Sequence, residues 1–333
     1  MSLKKSCGHF LFILFLCTAI HAQTFKYMRI GNKEDVQTKA SAGTAMMGGG
    51  TDLDEAFRWL CTKANGGDFL ILRAHGDDDY NKYVDGLCKL NSVATLIIPD
   101  RKSALEPAVA DIIRHAEAIF VAGGDQALYV NGWRTSPVQD AINDHLAAGK
   151  PLGGTSAGLA IQGEFIYTSM NDADNGPNLS SPMALQNPYH VQVALARDFL
   201  KVPHLQNLIT DSHFAKRDRL GRSLGFLARI VQDGWSQDPR EIGIDEKSAV
   251  LVEADGKATV VGTGKGAYFV QVKHPPEVCQ PNTTLTFHDL ATYHAPAGAH
   301  FDLNTWTGSG GDEYVLTVEK GVVSSSRPDK SVY

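Results

Sequence analysis

This sequence lacks three features that would each indicate a class of function. Its longest apolar stretch, residues 10–20, has 11 residues, well short of the ~20 needed to cross a bilayer. It has no surplus of positive charge, with 31 Lys and Arg against 37 Asp and Glu, so binding to nucleic acid or an anionic membrane is not indicated. None of its five cysteines stands in C-x-x-C spacing, so neither a structural zinc site nor a disulfide framework is indicated.

The chain does have length and apolar content. Its 333 residues are 43% hydrophobic and 20% charged, which is typical of a folded protein with a substantial core and excludes a disordered or collagen-like chain. Its 32 glycines exceed the usual share of ~7%. Glycine marks positions where the backbone turns sharply or approaches a ligand, so the glycine-rich turns are candidate parts of a functional site.

The amino terminus is typical of a secretory signal peptide. Lys4 and Lys5 precede the apolar stretch at 10–20, and Ala22 supplies the small residue before a cut. A cleavable signal over residues 1–22 is therefore predicted. It implies a secreted or periplasmic protein with no membrane anchor after cleavage.

Cleavage would also remove two cysteines, Cys7 and Cys17. The three that remain, Cys61, Cys88 and Cys279, cannot all pair. Free cysteine is among the most buried residue types, which favours three buried thiols. A bridge between Cys61 and Cys88 is the alternative.

Short apolar strands alternate with amphipathic helices over the first half of the chain. Strands are predicted at 69–73, 94–98, 118–122 and 151–155, and helices at 53–64, 107–115 and 137–148. Asp52 and Glu55 are predicted to cap the first helix as a capping-box-like pair. This alternation indicates an α/β protein whose parallel sheet is covered on both faces.

From about residue 249 the pattern changes to short strands separated by turns. These strands are predicted at 249–253, 258–261, 267–271, 284–287 and 313–317. They indicate antiparallel hairpins that extend the sheet or form a small lobe. The predicted organisation is therefore an α/β domain over 23–250 and a β-rich extension over 251–333.

Residues 154–158 (GTSAG) match the G-x-S-x-G pattern. They follow a buried strand and precede a helix-compatible segment, which is the context of a nucleophile elbow and favours a reactive Ser156 over a plain turn. The N–H of Ala157 would then face a developing oxyanion. A second turn, residues 123–126 (GGDQ), follows another buried strand, so Gly124 is predicted as a further oxyanion donor and Gln126 as a substrate contact.

A reactive serine needs a base, and His213 is the preferred candidate because a basic segment follows it. Arg219 and Arg222 are three residues apart, so they are predicted to share a helix face, and Arg217 lies just before them. Arginines there could bind a substrate carboxylate bidentately; a solvated helix face is the alternative. The acid that orients the base is left open among six side chains: Asp218, Asp233, Asp238, Glu241, Asp245 and Glu246.

Together these motifs resemble the cyanophycinase-like serine exopeptidases of peptidase family S51, which are related to aspartyl dipeptidase (peptidase E). The resemblance extends over about residues 47–252 and depends on five ordered segments: 48–55, 121–126, 153–158, 211–222 and 243–246. It implies a flavodoxin-like, three-layer α/β/α fold akin to class I glutamine amidotransferases. It also implies a reaction without a metal or organic cofactor.

The resemblance further implies Ser156 as nucleophile, His213 as base and Glu246 as orienting acid. The substrate-binding side chains implied are Asp125, Gln126, Asp211, Arg217, Arg219 and Arg222. Expected substrates are aspartyl or β-aspartyl peptides such as cyanophycin. A peptidase E-like α-aspartyl dipeptidase, another serine hydrolase or acylase, and a non-catalytic binding protein are the alternatives. A homodimer is one expectation, because members of this group often form dimers.

Overall fold

The computed structural model describes residues 24–174 and 178–333. The predicted signal peptide, residues 1–22, lies outside the described residues. Within those ranges, no helix is long and apolar enough to cross a membrane.

The described residues form two sheets and the helices that cover them. The strands are β1 Lys26–Gly31, β2 Gly43–Met47, β3 Asp68–Arg73, β4 Ser92–Ile97, β5 Ala118–Val121, β6 Leu152–Thr155, β7 Phe165–Tyr167, β8 Leu195–Arg197, β9 Leu208–Asp211, β10 Arg240–Ile244, β11 Ser248–Glu253, β12 Lys257–Gly262, β13 Ala267–Gln271, β14 Phe287–Ala295, β15 His300–Asp302, β16 Thr307–Ser309, β17 Asp312–Glu319 and β18 Val322–Ser325. The helices are α1 Asp54–Ala64, α2 Asp79–Leu87, α3 Arg101–Ala104, α4 Pro107–Arg114, α5 Gln126–Trp133, α6 Pro137–Ala147, α7 Ala157–Ala160, α8 Ser181–Gln186 and α9 Leu220–Gln232.

The first sheet has the order β1-β4-β3-β5-β6-β2-β11-β12-β15-β16, and its segment from β4 to β2 is parallel. The run β4-β3-β5-β6 follows the flavodoxin-like order 2-1-3-4, with β2 in the fifth place. Every residue of β4, β5 and β6 is buried. Continuous burial of this kind is typical of parallel strands covered on both faces.

Helices cover both faces of this parallel segment. On one face, Phe57 and Leu60 of α1 pack with Phe69 and Phe120 of the sheet. On the other face, α4 and α6 pack against the alternate residues of the same strands, such as Ile119. The predicted three-layer α/β/α fold is thus confirmed, and the carboxyl ends of β2, β5 and β6 lie side by side at one edge.

The second sheet has the order β18-β17-β14-β13-β10-β9-β7-β8. Helices α8 and α9 pack on one of its faces, while Ile242 and Phe269 on the other face join the core of the first sheet. The carboxyl-terminal strands extend both sheets rather than form a small lobe. Residues 250 and 251, the predicted domain boundary, both lie inside β11, and β14 begins at Phe287, where the strand predicted at 284–287 ends.

The predicted cap of the first helix is wrong. Helix α1 begins at Asp54 and has Leu53 as its N-cap, with no side-chain cap hydrogen bond. Asp52 instead accepts a hydrogen bond of 2.6 Å from the Tyr80 hydroxyl. The capping-box pattern did not reveal this partner, which is 28 residues away in sequence.

The favoured state of the cysteines is also wrong. Cys61 and Cys88 form a disulfide that ties α1 to the end of α2, with 6.1 Å between their Cα atoms. Cys279 is a buried free thiol. The pairing depends on how α1 and α2 pack, which the spacing of 27 residues does not reveal.

Candidate active site

Ser156 lies at a sharp turn between β6 and α7. Its backbone has φ 52° and ψ −112°, a conformation that costs about 1–3 kcal/mol for a residue with a side chain. Its N–H donates to Met47 O at 3.1 Å, which ties the turn to β2. A Cβ atom on Gly158 would lie 2.0 Å from Val121 O, so the close approach of α7 to β5 requires glycine there.

His213 follows β9 and lies beside this serine. Its Nε2 is 2.7 Å from Ser156 Oγ, and its Nδ1 is 2.7 Å from Glu246 Oε1. The imidazole is buried, with 5% of His213 exposed. The backbone N–H of His213 donates to Gly48 O at 2.7 Å, so the end of β2 and the residue after it hold both the serine turn and the histidine.

The turn after β2 is packed directly against the histidine. A Cβ atom on Gly49 would lie 2.4 Å from His213 Cε1, and Gly49 has φ +94°. Both the space and the backbone conformation therefore require glycine. This explains the glycine at position 49, one of the residues on which the family resemblance depends.

The geometry distinguishes Glu246 from the other five acids. Asp245, its neighbour, accepts from the N–H of Lys216 at 2.7 Å. Glu241 is fully buried, and burial raises its pKa well above the usual range, an effect that a hydrogen bond with Ser223 only partly offsets. The remaining acids, Asp218, Asp233 and Asp238, accept from Tyr333, Arg229 and Asn207, respectively.

The pKa shifts of the pair fit proton transfer. Burial lowers the pKa of His213, an effect that the hydrogen bond to Glu246 only partly offsets. The hydrogen bond from His213 lowers the pKa of Glu246. At neutral pH the imidazole is therefore uncharged and able to accept a proton, and the carboxylate is charged.

A cavity of about 310 Å³ opens beside Ser156. Its wall includes six of the predicted residues: Gly124, Asp125, Gln126, Arg217, Arg219 and Arg222. The first three follow β5. Arg217 and Arg219 come from the segment between β9 and α9, and Arg222 lies in the first turn of α9. Ligands of α/β proteins collect at this edge of the sheet.

Asp211 does not line the cavity, although it was predicted to bind substrate. It is buried behind the wall, where it accepts from Arg222 Nε at 2.8 Å and Nη2 at 2.7 Å and from Arg219 Nη1 at 3.3 Å. Burial alone would raise the pKa of Asp211, but the two arginines outweigh it and lower that pKa. Asp211 is thus the internal counter-ion of the arginines.

The arginines also differ from the predicted arrangement. Arg219 is the N-cap of α9, not a member of its face. Burial lowers the pKa of Arg219 to about 10, which leaves it charged at neutral pH. Arg217 is half exposed, and its Nε is 3.7 Å from Glu246 Oε1.

Two predicted residues on the β5 side have internal partners. Asp125 accepts from the N–H of Ala127 at 2.9 Å and from Ser169 Oγ at 3.0 Å, so it caps α5. Gln126 Nε2 donates to Tyr167 O at 3.5 Å. A Cβ atom on Gly123 would lie 3.5 Å from Ser156 Cβ, which shows how closely this turn approaches the serine.

Sequence reasoning missed Tyr167 and Asp172, which also line the cavity. The Tyr167 hydroxyl donates to the carboxylate of Asp172, 2.7 Å from both of its oxygens. Tyr167 also lies under the guanidinium of Arg222, whose Cζ is 4.8 Å from the ring centroid. Tyr167 ends β7, a strand too short for its alternation to be visible in the sequence.

In the ranges 24–174 and 178–333, no three His, Cys, Asp or Glu side chains are grouped so that they could hold a metal ion.

The sequence is similar to proteins of one known family. The sequence model of peptidase family S51 matches residues 41–260. Two curated cyanophycinases are similar. The cyanophycinase of Trichormus variabilis is 27% identical over 219 residues, which is 63% of this chain and 65% of that protein. The cyanophycinase of Synechococcus elongatus is 28% identical over 194 residues, which is 58% of this chain and 52% of that protein. The alignments thus span less than two thirds of the relatives' own lengths.

A solved structure of a peptidase from an acI-B1 Actinobacterium has a similar fold. It superimposes with a TM-score of 0.51 over 72% of this chain and 96% of that one, at 17% identity. At this identity the likeness extends to the fold alone.

Proposed function

The chain belongs to peptidase family S51, and from that premise we propose that it is a secreted serine-type exopeptidase that cleaves aspartyl or β-aspartyl peptide bonds. The observation that carries this proposal is the series Ser156, His213 and Glu246, with 2.7 Å between the bonded atoms of each pair. A hydroxyl, an imidazole and a carboxylate in this arrangement can serve as nucleophile, base and orienting acid.

In the proposed mechanism, the Ser156 hydroxyl attacks the scissile carbonyl carbon as His213 Nε2 takes its proton. Glu246 accepts from the Nδ1–H of His213 and stabilises the imidazolium that forms. The N–H groups of Gly124 and Ala157 bind the oxyanion, where one such donor is typically worth about 2.7–4 kcal/mol. His213 then protonates the leaving amine, and water releases the acyl group from Ser156.

The basic side of the cavity supports an acidic residue in the substrate. Arg219 makes its hydrogen bonds to protein through Nη1, so its Nε and Nη2 have no partner among the described residues. Arg217 is half exposed at the same wall. A carboxylate can accept two hydrogen bonds from such a guanidinium group, which an apolar acyl group cannot.

The size of the cavity supports a small acidic unit. About 310 Å³ is at the lower end for ligand pockets, which suits one or two residues rather than a long peptide. The similarity to two cyanophycinases favours a cyanophycin-like substrate over an aspartyl dipeptide.

Hydrolysis assays test the proposal directly. The wild-type protein is compared on a β-aspartyl-arginine polymer, α-aspartyl dipeptides and a neutral ester, with Ser156→Ala as the control. We expect turnover of the β-aspartyl substrate and its loss in the variant. Preference for the dipeptides would instead support a peptidase E-like enzyme, and turnover of the ester alone would support another serine hydrolase. Equal turnover by Ser156→Ala would refute the assignment of the nucleophile.

Secretion or periplasmic export is part of the same proposal. The signal-like segment at residues 1–22 supports it. The Cys61–Cys88 disulfide supports it independently, because disulfides persist mainly in oxidising compartments. Amino-terminal sequencing of the exported protein should begin at Gln23, and a cytosolic protein with an intact amino terminus would contradict this part of the proposal.

A further inference from the structure

The tail of the chain, residues 326–333, lies along the second sheet. Arg327 Nε donates to Asp312 Oδ2 at 2.9 Å, and the Arg327 guanidinium lies 3.8 Å from the ring centroid of Tyr314. The Tyr314 hydroxyl donates to Val332 O at 3.1 Å. These contacts with β17 fix the path of the tail and bring Tyr333 to the segment that carries the arginines.

The Tyr333 hydroxyl makes two hydrogen bonds with that segment. It accepts from the N–H of Leu220 at 3.0 Å and donates to Asp218 Oδ1 at 2.9 Å. Leu220 is the first residue of α9, and the N-cap, Arg219, makes no side-chain cap hydrogen bond. A helix leaves its first N–H groups without intrahelical partners, so Tyr333 supplies an acceptor from a position 113 residues away.

The Tyr333 ring holds the other end of the same segment. It packs edge-on against Phe214, with 6.1 Å between ring centroids, and against Tyr268 at 5.7 Å. Phe214 directly follows His213. Tyr333 therefore contacts both ends of residues 214–220, and Arg217 and Arg219 lie within that span.

We infer that Tyr333 is a positioning residue, which fixes the segment between His213 and Arg222 so that its arginines meet the substrate carboxylate. The inference on substrate depends on the proposed function. Tyr333 lies outside residues 41–260, the range that matches the family, so the family pattern does not supply it. The contact ties the carboxyl-terminal extension to the wall of the cavity.

The test variant is Tyr333→Phe, which keeps the ring and removes both hydrogen bonds. The matched control is Ser331→Ala, in the same tail, because Ser331 bonds to Asp329 and Arg327 and to none of residues 213–222. For an aspartyl substrate we expect KM to rise about three- to tenfold in Tyr333→Phe, the range that the loss of one hydrogen bond between an arginine and the substrate implies, with kcat within about twofold. The asparaginyl analogue, which lacks the charge, should lose less. An unchanged KM, or a fall in kcat alone, would overturn the inference.

Amide hydrogen exchange gives a second measurement that needs no substrate. Faster exchange confined to residues 214–222 in Tyr333→Phe, but not in Ser331→Ala, supports positioning; unchanged exchange there overturns it. If the wild-type protein cleaves no aspartyl substrate, the proposed function fails, and the exchange comparison alone decides the role of Tyr333.

Discussion

Replacing Glu246 by glutamine tests the choice of the orienting acid. The substitution keeps the size of the side chain and an oxygen that can accept from His213 Nδ1, which is now 2.7 Å from the carboxylate. It removes the negative charge that would stabilise the imidazolium. It also allows the amide N–H₂ group to face Nδ1, which would favour the wrong tautomer of the imidazole.

The expected loss can be estimated from the geometry. Glu246 is about one-fifth exposed at its side chain, so its charge is screened more than that of a fully buried acid. The corresponding change in a buried triad lowers kcat about 10⁴-fold. For the more exposed Glu246 we expect a loss of about 10²- to 10⁴-fold, which is about 2.7–5.4 kcal/mol of transition-state stabilisation.

The assay is steady-state hydrolysis of the best aspartyl substrate, with Asp245→Asn as the matched control. Asp245 is the neighbouring acid and accepts from the N–H of Lys216, a role that an asparagine oxygen also fills. We expect the control to keep kcat within about tenfold of wild type, since one neutral hydrogen bond is worth about 0.5–1.5 kcal/mol. A larger loss in Asp245→Asn than in Glu246→Gln would refute the assignment, because the acid that matters would then be Asp245.

Three further predictions concern pH, backbone strain and the disulfide. Because burial lowers the pKa of His213 below 6.5, and only the uncharged imidazole accepts a proton, the acidic half-maximum of kcat/KM should lie below pH ~6.5; a half-maximum above pH 7 in a pH–rate profile would contradict it. The free energy of unfolding of Ser156→Gly should exceed that of Ser156→Ala by about 1 kcal/mol, because φ 52° suits glycine. Equal midpoints of the two variants in denaturant unfolding would show that the turn is unstrained. Replacing both Cys61 and Cys88 by serine should lower the free energy of unfolding by about 3–4 kcal/mol, the chain-entropy estimate for a loop of this length, and thermal melts that match the wild type would count against a formed bridge.

The parts of the fold and site that depend on local pattern could be predicted from the sequence. Alternating buried strands and amphipathic helices indicated the three-layer fold, because burial on both faces leaves a continuous apolar run. The strand–Ser156–helix context, with its flanking glycines, indicated the sharp turn. The structure shows why a glycine is needed there, because a Cβ atom on Gly158 would collide with the backbone of β5. His213 was predicted from the basic segment after it, and its Nε2 lies 2.7 Å from Ser156 Oγ.

What depends on long-range packing could not be predicted in this way. Asp245 and Glu246 are adjacent in sequence, yet one binds a backbone N–H and the other an imidazole. Which does which is decided by how the turn after β10 meets the segment after β9. The role of Tyr333 was hidden for the same reason, because its partner Leu220 is 113 residues away.

The positive charge that the cavity wall presents to a ligand also cannot be predicted by counting arginines in the sequence. Three arginines lie at its wall, but all three guanidinium nitrogens of Arg222 bond to Asp211 or to the carbonyl of Leu179. Since Asp211 neutralises this buried guanidinium at close range, Arg222 has little attraction left for a ligand. In the proposed function, a substrate carboxylate would therefore bind Arg217 and the Nε and Nη2 of Arg219, which have no partner among the described residues. Arg222 would act by holding Asp211, and through it Arg219, in place, so its loss should damage the wall rather than remove a direct contact with the substrate.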